Sequence, residues 1–167
     1  IGCQFTDNQL DGVDFTGAQL MQCNFKGASL KQAHLHSVNA TQALFMAADL
    51  SGASAQSSVF DQAIFVGATL NQARFKQSRF FQSILQQVVA QQAEFTLCDF
   101  TYADFSFADV CDADFRGAAF SRTRFHRARQ DNARFADRTG ILEYDEELLA
   151  AEAWSAERHS KIYGDPL

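Results

Sequence analysis

The stretch FMAADLSGASAQSSVFDQAIF, residues 45–65, places Phe45, Leu50, Ala55, Phe60 and Phe65 at every fifth position, and Ala48, Ala53, Ser58 and Ala63 two places before the last four of them. The register extends in both directions without an insertion or deletion. From Phe5 to Phe135 it holds 27 positions, of which 26 are apolar, and it collects 15 of the 17 phenylalanines. Gln130 is the exception. Of the 27 residues two places earlier, 16 are alanine. A period of five matches neither a helix at 3.6 nor a strand at 2. It suits a chain that turns a corner every five residues, so that four sides close a square coil with one large and one small side chain per side pointing inward. Coils then stack by backbone pairing at roughly 4.8 Å.

Residues 1–135 supply almost seven such coils, with the phenylalanines stacked as the core and alanine in the space left beside them. Residues 20 apart sit above one another. The repeats Ala48-Asp49-Leu50-Ser51-Gly52, Ala103-Asp104-Phe105-Ser106-Phe107 and Ala113-Asp114-Phe115-Arg116-Gly117 resemble the pentapeptide-repeat family, consensus A(D/N)LXX or its Phe-centred form. The resemblance covers about four-fifths of the chain. It implies an all-β solenoid, a right-handed quadrilateral parallel β-helix. It says little about activity, because the family is defined by its architecture.

Two units follow: residues 1–139 as the repeat β-helix and 140–167 as a C-terminal helical cap or tail. From Gly140 the period breaks, and the run from Ile141 to Arg158 is rich in helix formers, with acidic residues early and Arg158, His159 and Lys161 late, as the helix dipole prefers. Leu142, Tyr144, Leu148, Leu149 and Trp154 are the residues read as covering the last coil or meeting a second copy in a homodimer. At the other end the repeat is in register from Phe5, and an open first coil predicts an upstream segment, an associated second copy or a solvent-tolerant edge.

The 20-residue offset makes the outer surface readable. It pairs Arg74 with Glu94, Arg79 with Asp99, Asp104 with Arg124, Asp109 with Arg129 and Asp114 with Arg134. The aspartates Asp99 to Asp114 therefore read as charge-paired surface rather than a cation site. A column of Gln22, Gln42, Gln62, Gln82 and then Tyr102 predicts a ladder of side-chain amides. On the side carrying Phe45, Phe65 and Leu85, the outward neighbours Leu44, Met46, Ile64, Val66 and Ile84 are aliphatic, where most outward positions are polar. They read either as ordinary strand surface or as a protein-contact strip extended toward the next coil by Phe107.

Chemistry is not visible. There is no P-loop, GxGxxG, GxSxG or HExxH motif. His34 and His36 with Asp14 read as solvated surface, so no metal site and no cofactor are expected. Cys3, Cys23, Cys98 and Cys111 have no CxxC spacing; Cys3 and Cys23 are expected to be buried, reduced thiols. A phenylalanine-filled core leaves no substrate pocket, and no enzymatic activity is expected.

Resemblance to the family raises a DNA-mimic function, since some members bind DNA gyrase or topoisomerase IV and some of these protect against quinolones. Residues 1–90 carry five acidic and five basic residues and 91–140 eight and seven, whereas 141–167 carry seven and two. The negative charge lies in the tail and the rod is nearly neutral, which counts against a mimic of duplex DNA. The formal charge of −6 equally counts against direct nucleic-acid binding. The reading preferred is a bacterial scaffold module with an unidentified protein partner. It is cytoplasmic, or a portion of a larger secreted effector or secretion-system accessory.

Overall fold

Every fifth residue of the rod lies in a parallel backbone bridge with the residue 20 positions on, from Gln4 with Asn24 to Asp114 with Arg134, as this computed structural model shows. The structure describes residues 2–163, and the backbone alone for 159–163. The side chains of His159, Lys161 and Ile162 therefore lie outside it, as do Ile1 and Pro166 altogether.

The repeat closes most of its corners by one device, the exceptions including Val38 and Ser58, whose amides donate to Ser58 and Ser78 Oγ on the next coil. The carbonyl of the large inward residue accepts from the amide three residues on, as between Phe25 and Ala28 at 3.0 Å, and the third residue of the turn is left-handed. At Gly27 and Gly52 glycine meets that demand. Elsewhere Gln22, Gln42, Gln62 and Gln82 sit there at φ between 55° and 58°, a conformation costing L-residues roughly 1–2 kcal/mol. Their amides bond in series at 3.0, 2.8 and 3.0 Å, which offsets part of that cost. Tyr102 leaves the ladder and meets Phe81 edge-on at 5.9 Å. Between corners the amide of Phe25 donates to Leu44 on the following coil at 2.7 Å and that of Asn24 to Cys3 on the preceding one at 2.8 Å.

Inside, phenylalanines stack in columns. Phe25, Phe45 and Phe65 lie 5.0 and 4.7 Å apart, nearly parallel, while Phe75, Phe95, Phe115 and Phe135 follow at 5.5, 5.0 and 5.0 Å. Rings in adjacent columns meet edge to face, as Phe60 does with Phe75. A few rungs of the inward columns are small instead, as at Ala55 and Ala90, which are fully buried.

Two short strands end the rod. β1, Thr123–Arg124, pairs in parallel with β2, Ile141–Leu142, so backbone pairing continues past Gly140 with an offset of 18. Helix α1, Glu146–Tyr163, accordingly starts later than the helix-forming run suggests. Asp145 caps it, its Oδ1 accepting from the Leu148 amide at 3.0 Å, and Glu146 and Glu147 occupy the first turn.

The expected cap is corrected in one respect: α1 lies along the flank of the last coils, not across the end of the core. Leu148 and Ala151 line a cleft with Gln86, Asp104 and Ser106, which belong to earlier coils. The end is closed instead by Ile141, which packs against the core, and by polar side chains. Arg138 stacks its guanidinium over the Phe135 ring at 4.1 Å, donates to Gln130 Oε1 at 2.7 Å and bonds Glu143.

Candidate protein-contact surface

One face of the rod carries two outward columns. Parallel bridges join Asn24 to Leu44, Leu44 to Ile64, Ile64 to Ile84, Ile84 to Asp104 and Asp104 to Arg124. Two residues along each side stand Met46, Val66, Gln86, Ser106 and His126. Leu44, Ile64, Val66 and Ile84 are half-buried and Met46 is exposed, so all five sequence-read strip residues stand on the outer surface of one face. The aliphatic run ends at Asp104, where α1 begins to cover the face.

The seat of α1 is a cluster of polar contacts around His126, whose side chain is fully buried. Nδ1 accepts from the Asp145 amide at 3.1 Å, so the hydrogen of the neutral ring is on Nε2, which donates to Glu152 Oε1 at 3.3 Å. Arg127 Nε donates to the other Glu152 oxygen at 2.6 Å. Partial burial works to raise the Glu152 carboxyl, but the hydrogen bonds from His126 and Arg127 prevail and hold it below its ordinary value. Arg124 lies between two carboxylates, 3.7 Å from Asp104 and 3.5 Å from Asp145.

Phe107 belongs to this seat rather than to the strip. It occupies a corner with φ of 61°, meets His126 edge-on at 5.5 Å and lines a groove with Leu149, Ala153 and Ala156. Of the residues read as the cap, Leu148 and Leu149 are half-buried at the seat. Leu142, Tyr144 and Trp154 are exposed, at 44%, 72% and 61%, and Trp154 carries Arg158 over its ring at 5.1 Å.

All five charge-pair positions are bridged through the backbone, and three of them close as ion pairs: Asp104 with Arg124, Asp109 with Arg129 at 3.0 Å and Asp114 with Arg134 at 3.3 Å. Arg79 turns instead to Asp61, 18 residues back, in a bidentate contact reaching 2.5 Å. That diagonal recurs in Gln86 with Asp104 and Gln91 with Asp109, both at 2.8 Å. Cys23 is buried but Cys3 is exposed, which corrects half of the thiol expectation, and all four cysteines are free. His34 and His36 meet edge-on at 6.1 Å. The Thr16 hydroxyl and amide lower the Asp14 carboxyl, with both imidazoles adding to the effect. Among the described residues no group of three or more His, Cys, Asp or Glu side chains gathers as a metal site. No described helix is long and apolar enough to cross a membrane.

Against known families, the chain matches pentapeptide repeats in eight copies, over residues 1–27, 9–46, 43–87, 85–117 and 98–137. No curated protein matches it by sequence. Among solved structures it is similar to a trypsin-treated variant of QnrB1, a plasmid-mediated fluoroquinolone resistance protein. The identity is 17% and the TM-score 0.42, covering 92% of this chain and 86% of that one. It is also similar to HetL of Nostoc sp. strain PCC 7120, a pentapeptide repeat protein involved in heterocyst differentiation regulation. There the identity is 18% and the TM-score 0.32, covering 79% of this chain and 84% of that one.

Proposed function

Since the chain belongs to the pentapeptide-repeat family, we propose that it is a non-enzymatic protein-interaction module, a right-handed quadrilateral β-helix whose contact surface is the strip Leu44, Met46, Ile64, Val66 and Ile84. The observation that carries this reading is the stacking of those five residues on one face of a rod whose other outward positions are mostly polar. An aliphatic column confined to one face is the feature by which a soluble surface offers burial to a partner. We place the module in the bacterial cytoplasm or within a larger secreted effector or secretion-system accessory.

Capture from bacterial lysate on immobilised wild-type protein, beside the Ile64→Lys variant, tests the reading. A partner retained by the wild type and lost from a folded variant is the expected result. Should that variant fail to fold, Ile84→Gln takes its place, and capture unchanged by the folded variant would overturn the reading. Retention of gyrase or topoisomerase IV subunits, with altered DNA supercoiling, would carry the DNA-mimic function instead. The arginines set among the aspartates from Asp99 to Asp137 weigh against that mimicry, because they break the negative potential a basic DNA groove requires.

A further inference from the structure

The aliphatic strip does not end in open solvent. Where it meets α1, the rod and the helix enclose a cleft of about 400 Å³ lined by Gln86, Asp104, Ser106 and Arg124 from the rod, and by Asp145, Glu147, Leu148 and Ala151 from the C-terminal segment. Three carboxylates face one guanidinium there, and that guanidinium is already shared between Asp104 and Asp145. Beside them Ser106 is 1% exposed, and its Oγ has no hydrogen-bond partner among the described residues. A buried hydroxyl left unpaired carries an uncompensated desolvation cost, which a ligand nitrogen would relieve. Although Asp104 also accepts from the Ser106 amide and Gln86 Nε2, both at 2.8 Å, the site keeps an excess of negative charge and one unpaired hydroxyl.

The geometry of the face selects what can bring them. α1 stands on the same face over Asp104 and Ser106, one helix diameter high, so a broad partner meets the helix before it reaches the strip. A slender element lies in the step. The rungs Leu44, Ile64 and Ile84 repeat at the coil spacing of roughly 4.8 Å, close to the ~5.4 Å rise of one α-helical turn. Apolar side chains at i, i+3 or i+4, and i+7 thus meet successive rungs.

We propose that the strip and the cleft together dock a basic amphipathic helix of a partner protein, its apolar stripe on Leu44, Ile64 and Ile84 and a lysine or arginine in the cleft between Asp104, Ser106 and Glu147. This rests on the strip being the contact surface. The inserted cation makes charge-assisted hydrogen bonds to carboxylates held by the rod and by α1 at once, so the occupant reads both elements.

The test titrates the full chain with two fluorescein-labelled synthetic helices sharing one leucine stripe, one with lysines on its flanks and one with glutamates, followed by fluorescence anisotropy. The lysine helix is expected to bind at least roughly tenfold tighter, with the margin narrowing in high salt. Asp104→Asn combined with Glu147→Gln should abolish the margin, whereas Asp112→Asn combined with Asp131→Asn, outside the cleft, should keep it. Ile64→Lys, or Ile84→Gln should the first fail to fold, should weaken both helices. Equal binding of the two helices, no binding of either, or a margin lost equally in both double variants would overturn the proposal. Strip-dependent lysate capture persisting beside any of those results would leave the contact surface standing and remove only the helical occupant.

Discussion

Gln130, the single polar residue of the inward series, donates from Nε2 to Glu143 Oε2 at 3.0 Å. The same side chain accepts from Arg138, whose guanidinium covers Phe135. The aliphatic column of Leu50, Leu70, Ala90 and Val110 therefore ends in an amide at Gln130, and an arginine covers the last phenylalanine of the neighbouring column. A cation over an aromatic face combined with two hydrogen bonds satisfies both the π-surface and the amide.

Arg138→Ala should lower stability by about 1–2 kcal/mol through loss of the ring contact and the bond to Gln130. Urea unfolding measures the loss. Hydrogen exchange should localise it to the Thr123 and Phe125 amides, which donate to Gly140 and Leu142 at 3.0 and 2.8 Å. Unchanged exchange at both would show that the end is closed by other means.

Phe65 is fully buried and stacked on Phe45 at 4.7 Å. Phe65→Ala should cost about 3–5 kcal/mol, because neighbouring coils are held apart by their ladders and cannot collapse into the void. The shift in thermal midpoint reports it, and a negligible shift would place the ring outside the core.

Gly140 has a φ of +87°, and an added Cβ would collide with the carbonyl of Phe120. Gly140→Ala should therefore cost more than about 2 kcal/mol and unpair β2 from β1. Gly67, at +66° with open space around it, provides the control. Gly67→Ala should cost about 1 kcal/mol, the left-handed penalty alone. Similar losses in the two variants would refute the backbone clash.

Acid should destabilise the rod. Hydrogen bonding from Arg116 is the main influence lowering the Asp114 carboxyl; burial opposes it, while the Arg116 amide and Arg134 add to the lowering. At Asp109 burial pushes upward, but bonds from Cys111 and Gln91 and the charge of Arg129 outweigh it. A group held lower in the folded state binds fewer protons there than in the unfolded chain. Its stabilisation is therefore complete above the ordinary aspartate value near ~3.9 and is lost as pH falls through the folded value. Urea midpoints should be level from neutral pH down to about 5 and fall below about 4, with Asp114→Asn reducing that fall. An undiminished acid limb in the variant would exclude Asp114 as a contributor.

Cys98 is buried, and desolvation pushes its thiol up to about 12. Its Sγ donates to the Phe75 carbonyl at 2.9 Å. Iodoacetamide should label the exposed Cys3 in the native protein and reach Cys98 only on unfolding, as mass mapping of labelled peptides would show. Native labelling of Cys98 would mean that the coil opens locally.

The architecture was legible because one spacing determines it: an apolar residue every fifth place from Phe5 to Phe135 leaves no other regular path for the chain. The 20-residue columns follow, and they placed Leu44, Ile64 and Ile84 on one face. The seat of α1 was not legible. His126 stands in an outward position like those of Met46 and Val66, and its burial comes from a helix whose docking no repeat encodes. No side-chain pattern signalled it, because residue 145 bonds His126 through its backbone amide and Glu152 is one of several carboxylates in the tail. The diagonal between Arg79 and Asp61 escaped because stacking alone suggests partners directly overhead, whereas a long guanidinium also reaches the neighbouring outward column.

The regular bridge offset turns residue number into an address, the remainder after division by twenty giving the compass bearing around the axis and the quotient the storey. Excising twenty residues would remove one storey and leave every bearing intact. Excising five between Ile84 and Asp104 would swing everything beyond by a quarter turn, and α1 would hang around the corner from the Leu44 column. Tolerance to changes of length is therefore quantised in this chain, and the pairing of helix and strip on one façade is a matter of arithmetic as much as of affinity.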